Sequence, residues 1–277
     1  MNRTTAQQAD PSAADLAVVE AALAGLTETA PGGLAHATLV AVGLADDYAI
    51  IESPIGPLRI AWNGRGVSTV ESAPDDRVFE LRFEARTGRP IRRREALPGD
   101  LARAVERRLG GDRRAKISLD LRGTTAFEQA VWRKALEIPR GEVRPYGWIA
   151  AEIGRPKAVR AVGTALGHNP VPLIVPCHRV VRSDGMLGQY SLGGPGNKRT
   201  ILAAEGLDPD ELERLARAGV RYIGSDTTHV YCMPSCRHAR RIQPAHRVPF
   251  ASVASSEAAG YRACLDCRPS AARGVAA

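Results

Sequence analysis

The sequence of 277 residues predicts an α+β fold with a small four-cysteine module near its C-terminal end. Three observations lead to this prediction. Short β-type runs separated by turn residues begin near residue 48, amphipathic helical patterns follow, and four of the five cysteines form two close pairs. At roughly 150 residues per domain, this length corresponds to about two domains.

Residues 1–46 are predicted to form an N-terminal extension. Leucine and valine recur at helical spacing over the alanine-rich residues 13–26, and Pro31-Gly32-Gly33 ends that pattern. The N-terminus lacks the apolar core of a secretory signal, and the sequence contains no apolar run of 18 residues. We therefore expect a cytoplasmic protein that does not associate with membranes.

Residues 47–121 predict a small α+β subdomain. The dipeptide Asn63-Gly64 indicates a hairpin turn between two strands. One helix is predicted over 75–87 and another after Pro98, with Asp100 as its N-cap. The predicted strands cover residues 48–51, 58–62, 67–70 and 116–121.

Residues 122–207 predict a series of helices. An apolar stripe in the first helix is followed by short helical patterns over 146–153 and 157–167, with a tight turn between them. This arrangement fits a DNA-binding helix-turn-helix, and it also fits an ordinary helical bundle. The formal net charge of +8 favours an anionic partner such as nucleic acid, although the arginine-rich composition also fits a coding bias.

The most unusual segment surrounds a lone cysteine. Three prolines within residues 170–176 impose a rigid, non-helical backbone, and Cys177 lies between Pro176 and His178. A cysteine is a strong nucleophile only as a thiolate, so a nearby proton acceptor is needed. Since adjacent residues of an extended chain point to opposite faces, His178 requires an irregular backbone or a bridging water to reach the sulfur. A buried, inert cysteine is the alternative interpretation.

The remaining cysteines have the spacing of a zinc site. They form the pairs Cys232-x3-Cys236 and Cys264-x2-Cys267, and in a reducing cytoplasm such pairs indicate Zn²⁺ rather than disulfides. Residues 208–219 predict a linker helix capped at Asp208, residues 220–270 the zinc module, and residues 271–277 a tail. Basic residues of the module can balance the charge of four thiolates and face phosphates, namely Arg237, Arg240, Arg241 and Arg262.

The segment around Cys177 resembles the active-site signature of the O6-alkylguanine-DNA alkyltransferases. Asn-Pro-Val-Pro precedes Pro-Cys-His-Arg-Val, and further motifs of that family occur in the same order. The resemblance covers about residues 47–206. It implies a ribonuclease-H-like subdomain over 47–121 and a winged-helix-like catalytic subdomain over 122–207. The additional motifs are Tyr146, residues 155–160, residues 188–191 and residues 202–206.

The resemblance also implies roles for individual residues. Cys177 would accept an alkyl group from O6 of guanine, or from O4 of thymine. His178 would act as base through a water, and Glu205 would orient it. Asn169 would support the hinge beside the active-site loop. The thioether product has no good leaving group, so we expect a single turnover with no cofactor for the transfer.

The same resemblance assigns the substrate side. Tyr146 and Ser191 would hydrogen-bond a flipped base near N3 and O6, and Arg160 would fill the gap in the duplex. Arg179 is predicted among the residues that contact DNA. The expected partner is double-stranded DNA with alkylated bases, and the expected state is a monomer. Some members of the family carry an N-terminal zinc site, which is not expected here because no cysteine precedes Cys177.

Residues 222–267 resemble the Ada-type metal-binding domain. In that domain the first cysteine accepts methyl groups from backbone phosphotriesters, and the matching position is Cys232. The module is shorter at its N-terminal side, and Met233 replaces the usual arginine. We therefore rank a structural, DNA-contacting zinc module first and a phosphotriester methyl acceptor at Cys232 second.

Two other function classes compete with alkyl transfer. A non-enzymatic DNA-binding protein that senses alkyl lesions is disfavoured, because alkyltransferase-like proteins of that kind lack the acceptor that Cys177 supplies. A cysteine hydrolase using Cys177 and His178 would need an oxyanion hole and a substrate pocket, and the sequence suggests neither.

Overall fold

The computed structural model describes residues 33–269 together with residues 17, 18 and 21. Apart from those three helical positions, the helix predicted over 13–26 lies outside the described residues, as does the tail 271–277. The chain divides into two compact units, 1–38 and 39–277. Helix α1 covers Leu34–Val42.

The first sheet has four strands in the order β3-β2-β1-β4. The first three form an antiparallel meander, in which Tyr48 lies opposite Ala61, and β4 runs parallel to β1. The three predicted strands of the meander are confirmed. The strands are β1 Asp46–Ile51, β2 Leu58–Asn63, β3 Gly66–Glu71 and β4 Ile91–Arg93.

The predicted hairpin turn is present but shifted by one residue. Asn63 still pairs with Gly66, so Gly64 and Arg65 occupy the two turn positions. The Asn63 side chain accepts a hydrogen bond from the Arg65 backbone N–H at 2.8 Å. A Cβ atom at Gly64 would lie 1.9 Å from the carbonyl oxygen of Ala41, so only glycine fits there.

Two helices pack beside this sheet, and one predicted cap is wrong. Helix α2 covers Asp76–Thr87, and Asp75 caps it by accepting a hydrogen bond from Val78 N–H. Helix α3 covers Gly99–Leu109 and begins after Pro98, not after Asp100. Asp100 lies inside the first turn, where its side chain pairs with Arg103.

The strand predicted over 116–121 is also wrong. Only Leu119 forms an isolated bridge, with Val67. Two backbone hydrogen bonds, Val67 N–H to Ser118 O and Asp120 N–H to Val67 O, hold the segment against β3. The chain then turns away near Thr124, so no longer ladder can form.

The following helices match the predicted series. Thr125 and Glu128 form a capping box at the start of α4, and Trp132 Nε1 donates to Ala165 O at 2.8 Å, which ties α4 to α6. A two-stranded parallel sheet pairs Arg144 with Val180. The elements are α4 Ala126–Ala135, β5 Arg144–Pro145, α5 Tyr146–Glu152, α6 Val159–Gly167, β6 Val180–Val181 and α7 Gly194–Ala204.

The C-terminal part begins with helix α8, Pro209–Arg217, which Asp208 caps as predicted. A second four-stranded sheet follows in the order β10-β8-β7-β9. The remaining elements are β7 Tyr222–Ser225, β8 Val230–Cys232, α9 Arg237–Arg241, β9 Arg247–Phe250, α10 Val253–Ala258 and β10 Arg262–Ala263.

One hydrophobic core connects the first sheet, the helices α4 to α6 and the four-cysteine region. Its buried members include Ile60 of the sheet, Trp148 of α5 and Cys236. The chain therefore has the mixed helix and sheet fold that the sequence predicts. Within the part of the chain that the structure describes, no helix is long and apolar enough to cross a membrane.

Candidate active site and metal centre

Cys177 lies in a sharp bend rather than in an extended strand. It begins the 3₁₀ turn Cys177–Arg179 directly after Pro176, and it is buried, with 5% of its surface exposed. The irregular backbone that the sequence analysis requires for Cys177 and His178 is therefore present. Leu173 has a φ angle of 70° in the segment leading to this turn.

Asn169 ties the proline-rich loop to the sulfur. Its Nδ2 donates to Val175 O at 3.0 Å and to Cys177 Sγ at 3.2 Å, and its Oδ1 accepts from Val171 N–H at 3.1 Å. Asn169 is itself buried. A single amide side chain thus fixes both ends of the loop and places an N–H donor on the sulfur.

The two residues after Cys177 belong to a buried charge network. His178 Nε2 is 2.9 Å from Glu205 Oε1, and Arg179 donates to the same carboxylate through Nε and Nη2. Gly141 N–H donates to Glu205 Oε2 at 3.1 Å, and Arg179 Nη1 donates to Ile138 O at 2.7 Å. The carboxylate of Glu205 therefore orients the imidazole through a bond at Nε2.

The electrostatics keep Glu205 ionised and His178 neutral. Burial raises the pKa of Glu205, but the hydrogen bonds from His178 and Arg179 outweigh it and lower the pKa to about 2. Burial lowers the pKa of His178, although Glu205 acts in the opposite direction. A neutral imidazole at pH 7 can accept a proton.

The second nitrogen of His178 is the one available for proton transfer. His178 Nδ1 is buried and has no hydrogen-bond partner among the described residues. The Cys177 thiol has a pKa raised by burial, which Asn169 and the charge of Lys198 partly oppose. A thiol that is protonated at rest and an imidazole that is neutral at rest are the starting states for a proton transfer between them.

The predicted substrate-side residues lie on surrounding elements. Tyr146 begins helix α5, and its ring lies close to Gly163 of α6. A Cβ atom placed on that glycine would be 3.9 Å from the ring. Burial and the nearby Cys177 raise the pKa of the Tyr146 hydroxyl, so it stays a hydrogen-bond donor. Arg160 of α6 and Ser191 are exposed.

The four clustered cysteines converge as their spacing predicts. The Sγ atoms of Cys232, Cys236, Cys264 and Cys267 all lie within 4.8 Å of one another, and all four residues are buried. Four soft sulfur donors in one compact group fit Zn²⁺, which prefers four thiolates in structural sites. Met233 N–H also donates to Cys267 Sγ at 3.4 Å, the kind of N–H···S bond that stabilises a thiolate ligand.

Two family models match the chain at these two sites. The model described as "6-O-methylguanine DNA methyltransferase, DNA binding domain" matches residues 126–207, which contain the Cys177 network. The model described as "Metal binding domain of Ada" matches residues 213–270, which contain the four cysteines.

Curated relatives decide the family. A methylated-DNA–protein-cysteine methyltransferase from Mycobacterium bovis is 42% identical over 163 residues, which cover 57% of this chain and 91% of that protein. Proteins of the same name from Methanosarcina barkeri and Haemophilus influenzae are 38% and 33% identical. The matched regions cover 89% and 85% of those two proteins, and 53% and 57% of this chain, respectively.

The chain belongs to the family of methylated-DNA–protein-cysteine methyltransferases. Its activity is the transfer of an alkyl group from DNA to a protein cysteine, which repairs the DNA directly. It binds DNA, and its Ada-type domain binds Zn²⁺ through the four cysteines. The solved structure titled "Crystal structure of Mycobacterium tuberculosis OGT in complex with DNA" is 37% identical, covers 60% of this chain and 98% of that chain, and has a TM-score of 0.48.

Two buried residues of this methyltransferase were missed by the sequence analysis. Lys198 is fully buried and donates through Nζ to Val180 O and Leu187 O, and burial lowers its pKa to about 8. The ring of Tyr190 meets that of His178 edge-on at 6.2 Å. No pattern in the sequence distinguishes Lys198 from the other three lysines, whereas Tyr190 lies within the motif 188–191.

Arg179 is placed differently from the expected DNA contact. It is 8% exposed, and its guanidinium is occupied by Glu205 and Ile138 O. This placement favours an internal role that holds Glu205. Direct contact with a duplex would require breaking the ion pair.

A cavity of about 580 Å³ lies beside the sulfur cluster of the zinc domain. Cys232 and Cys264 both line it, whereas Cys236 and Cys267 do not. Its other walls include Thr227, Thr228, Arg241 and Arg262. The cavity lining thus combines two of the four cysteines with basic and hydroxyl side chains that suit a phosphate, and with the carboxylate of Asp266.

Proposed function

We propose that Cys177 is the alkyl acceptor and that the substrate is O6-alkylguanine in double-stranded DNA. The observation that carries this proposal is the buried Cys177 sulfur, which accepts a hydrogen bond from the Asn169 amide and is followed in the chain by the His178–Glu205 pair. Both sides of the sulfur are built from residues that the family resemblance assigns to the reaction. O4-alkylthymine is the related lesion that the same acceptor would serve.

The reaction needs this chain's side chains, one water molecule and no cofactor. The Cys177 proton passes to His178 Nδ1, through one bridging water, and Glu205 balances the imidazolium that forms. The Cys177 thiolate attacks the alkyl carbon, the new S–C bond forms, and the O6–C bond breaks. Its electron pair remains on the guanine. A thioether results, so each molecule acts once.

The substrate side follows from duplex geometry. O6 of guanine is buried in the base stack, so the nucleotide must leave the duplex before it can reach Cys177. Exposed Arg160 on α6 would occupy the vacated space, which offsets part of the cost of unstacking. The Tyr146 hydroxyl near N3 and the Ser191 hydroxyl near O6 would stabilise the charge that develops on the leaving guanine.

We also propose a domain organisation. Residues 47–121 form a ribonuclease-H-like subdomain, 122–207 a winged-helix-like catalytic subdomain, 208–219 a linker helix and 220–270 the zinc module. Residues 1–46 are an extension and 271–277 a tail. The protein would act as a cytoplasmic monomer on alkylated double-stranded DNA without associating with membranes.

Peptide mapping tests the acceptor. After reaction with an O6-methylguanine duplex, we expect one S-methyl group per chain, on Cys177. Cys177→Ala should abolish repair while duplex binding survives. Glu211→Gln, which changes a surface carboxylate paired with Arg214 and leaves all five sulfurs in place, is the control and should still place methyl on Cys177. Stoichiometric repair by Cys177→Ala would refute the assignment.

For the zinc module we propose first a structural role in contact with DNA. Bound zinc would supply folding free energy to a module of only about 50 residues, which is too short to bury a large core of its own. The second candidate role is methyl acceptance by Cys232 from a backbone phosphotriester, which is supported by the cavity that Cys232 lines. Mass spectrometry after exposure to methylphosphotriester DNA distinguishes the two roles. S-methyl on Cys232 would show that this residue accepts methyl groups and would overturn the purely structural role.

A further inference from the structure

The zinc module contacts residues 137–145, here called the bridging segment, which also contacts the Cys177 network, and Arg240 of the module donates separately to Gly206 O. This segment follows α4 and ends in β5. Its Ile138 side chain is buried in the same core as Met233 and Cys236 of the module. The bridging segment therefore lies between the sulfur cluster and the site.

On the module side, Ser235 makes the central contact. Its Oγ accepts from Val143 N–H at 2.9 Å and donates to Val143 O at 3.2 Å, so one side chain satisfies both backbone groups of Val143. Ser235 is buried and lies between the metal ligands Cys232 and Cys236. A change in the conformation of this metal-binding turn would therefore alter the hydrogen bonds to Val143.

A carboxylate strengthens the same junction. Glu142 Oε1 accepts from Arg237 N–H at 3.0 Å in the first turn of α9, and Glu142 Oε2 accepts from Arg144 at 2.6 Å. Glu142 and Arg144 are both almost fully buried. Arg268, one residue after the last metal ligand, adds ion pairs to Glu137 and Glu152.

On the opposite side, the bridging segment supports the charge network. Gly141 N–H donates to Glu205 Oε2, and Ile138 O accepts from Arg179. A Cβ at Gly141 would lie 2.8 Å from Glu205 O, so the two backbones are in tight contact. Arg144 pairs with Val180, two residues after His178.

We propose that Ser235 is a positioning residue for alkyl transfer at Cys177. Its hydrogen bonds hold the bridging segment in place. That segment binds Glu205 and Arg179, and these two residues orient His178. The zinc module would then set the rate of transfer as well as contact DNA. This inference rests on the proposed function of Cys177.

The test compares two serine variants of the full zinc-loaded chain. Ser235→Ala removes both bonds to Val143, whereas Ser252→Ala removes the N-cap of α10, a bond inside the module that does not touch the bridging segment. Single-turnover transfer is measured with protein in saturating excess over an O6-methylguanine duplex, together with duplex Kd and zinc content. We expect Ser235→Ala to transfer about tenfold more slowly, with Kd and zinc content unchanged, and Ser252→Ala to keep the wild-type rate.

A second variant covers the case in which Ser235→Ala folds poorly or loses zinc. Glu142→Gln weakens the junction from the catalytic side and is expected to slow transfer in the same way. The proposal is overturned if the folded Ser235 variant transfers no more slowly than Ser252→Ala, or, where that variant fails, if Glu142→Gln keeps the wild-type rate. Failure of the proposed function is recognised separately, because wild-type protein would then carry its methyl group on a residue other than Cys177.

Discussion

Replacing Glu205 with glutamine tests the buried charge network beside Cys177. Glutamine keeps the size of the side chain and removes the charge that His178 and Arg179 share. Glu205 Oε1 lies 2.6 Å from Arg179 Nη2, and both side chains are 9% exposed. We expect Glu205→Gln to leave a buried guanidinium without its counter-charge, which is among the most destabilising of single changes.

The magnitude follows from the pKa of Glu205. Burial alone would raise it, but the hydrogen bonds from His178 and Arg179 lower it from 4.5 to about 2. At 1.36 kcal/mol per pKa unit, that shift corresponds to about 3 kcal/mol of stability. Because the folded-state pKa lies below the unfolded value, this stability is fully present above about pH 4.5 and is lost as the pH falls toward 2.

Urea denaturation at two pH values measures this contribution. We expect the free energy of unfolding of Glu205→Gln to be lower than that of the wild type by about 3 kcal/mol at pH 7 and by only about 1 kcal/mol at pH 3. Methyl transfer should also slow by at least about tenfold, because His178 loses the partner that orients it. Glu211→Gln is the control, since that carboxylate pairs with Arg214 on the surface of α8. A difference that stays the same from pH 7 to pH 3 would refute the reasoning.

Three further predictions address the substrate, the metal and the fold. Arg160→Ala should weaken repair of the O6-methylguanine duplex but not of the free base O6-methylguanine, which needs no flipping; equal losses with both substrates would contradict the proposed role of this residue. Chelation of zinc should expose four additional thiols to a thiol reagent, counted spectroscopically, and a count unchanged by the chelator would contradict metal ligation by the cluster. Gly64→Ala should lower the free energy of unfolding by more than about 2 kcal/mol, because its Cβ would collide with the Ala41 carbonyl; a change below about 0.5 kcal/mol in a urea titration would mean that the turn relaxes at little cost.

Local patterns predicted many of the elements whose signals lie within a few residues. Asp208 caps its helix as predicted, because a short acceptor precedes a free backbone N–H, and Asn63 marks the hairpin for a similar local reason; the cap predicted at Asp100 is wrong because that helix begins two residues earlier. The two cysteine pairs predicted the sulfur cluster, because ligand spacing constrains which thiols can meet. These features need no knowledge of the rest of the fold.

Features that depend on distant contacts were not predicted. The strand β4 is rich in arginine and shows no apolar alternation, and it forms because it pairs with β1 more than 40 residues away. A lysine is expected at the surface, but Lys198 is buried because three backbone carbonyls accept hydrogen bonds from its amine. The hydrogen bonds between Ser235 and Val143 join residues 92 positions apart, and no local sequence pattern indicates them.

Trp148 shows what the shared core means for the chain as a whole. Two guanidinium groups lie over its ring, Arg144 of β5 at 5.7 Å and Arg268 of the zinc module at 5.3 Å from the ring centroid. A chain shortened at residue 219 would lose the Arg268 contact and the packing of the zinc module against the shared core. We therefore expect a chain shortened in this way to expose apolar surface and to associate more readily than the full-length protein.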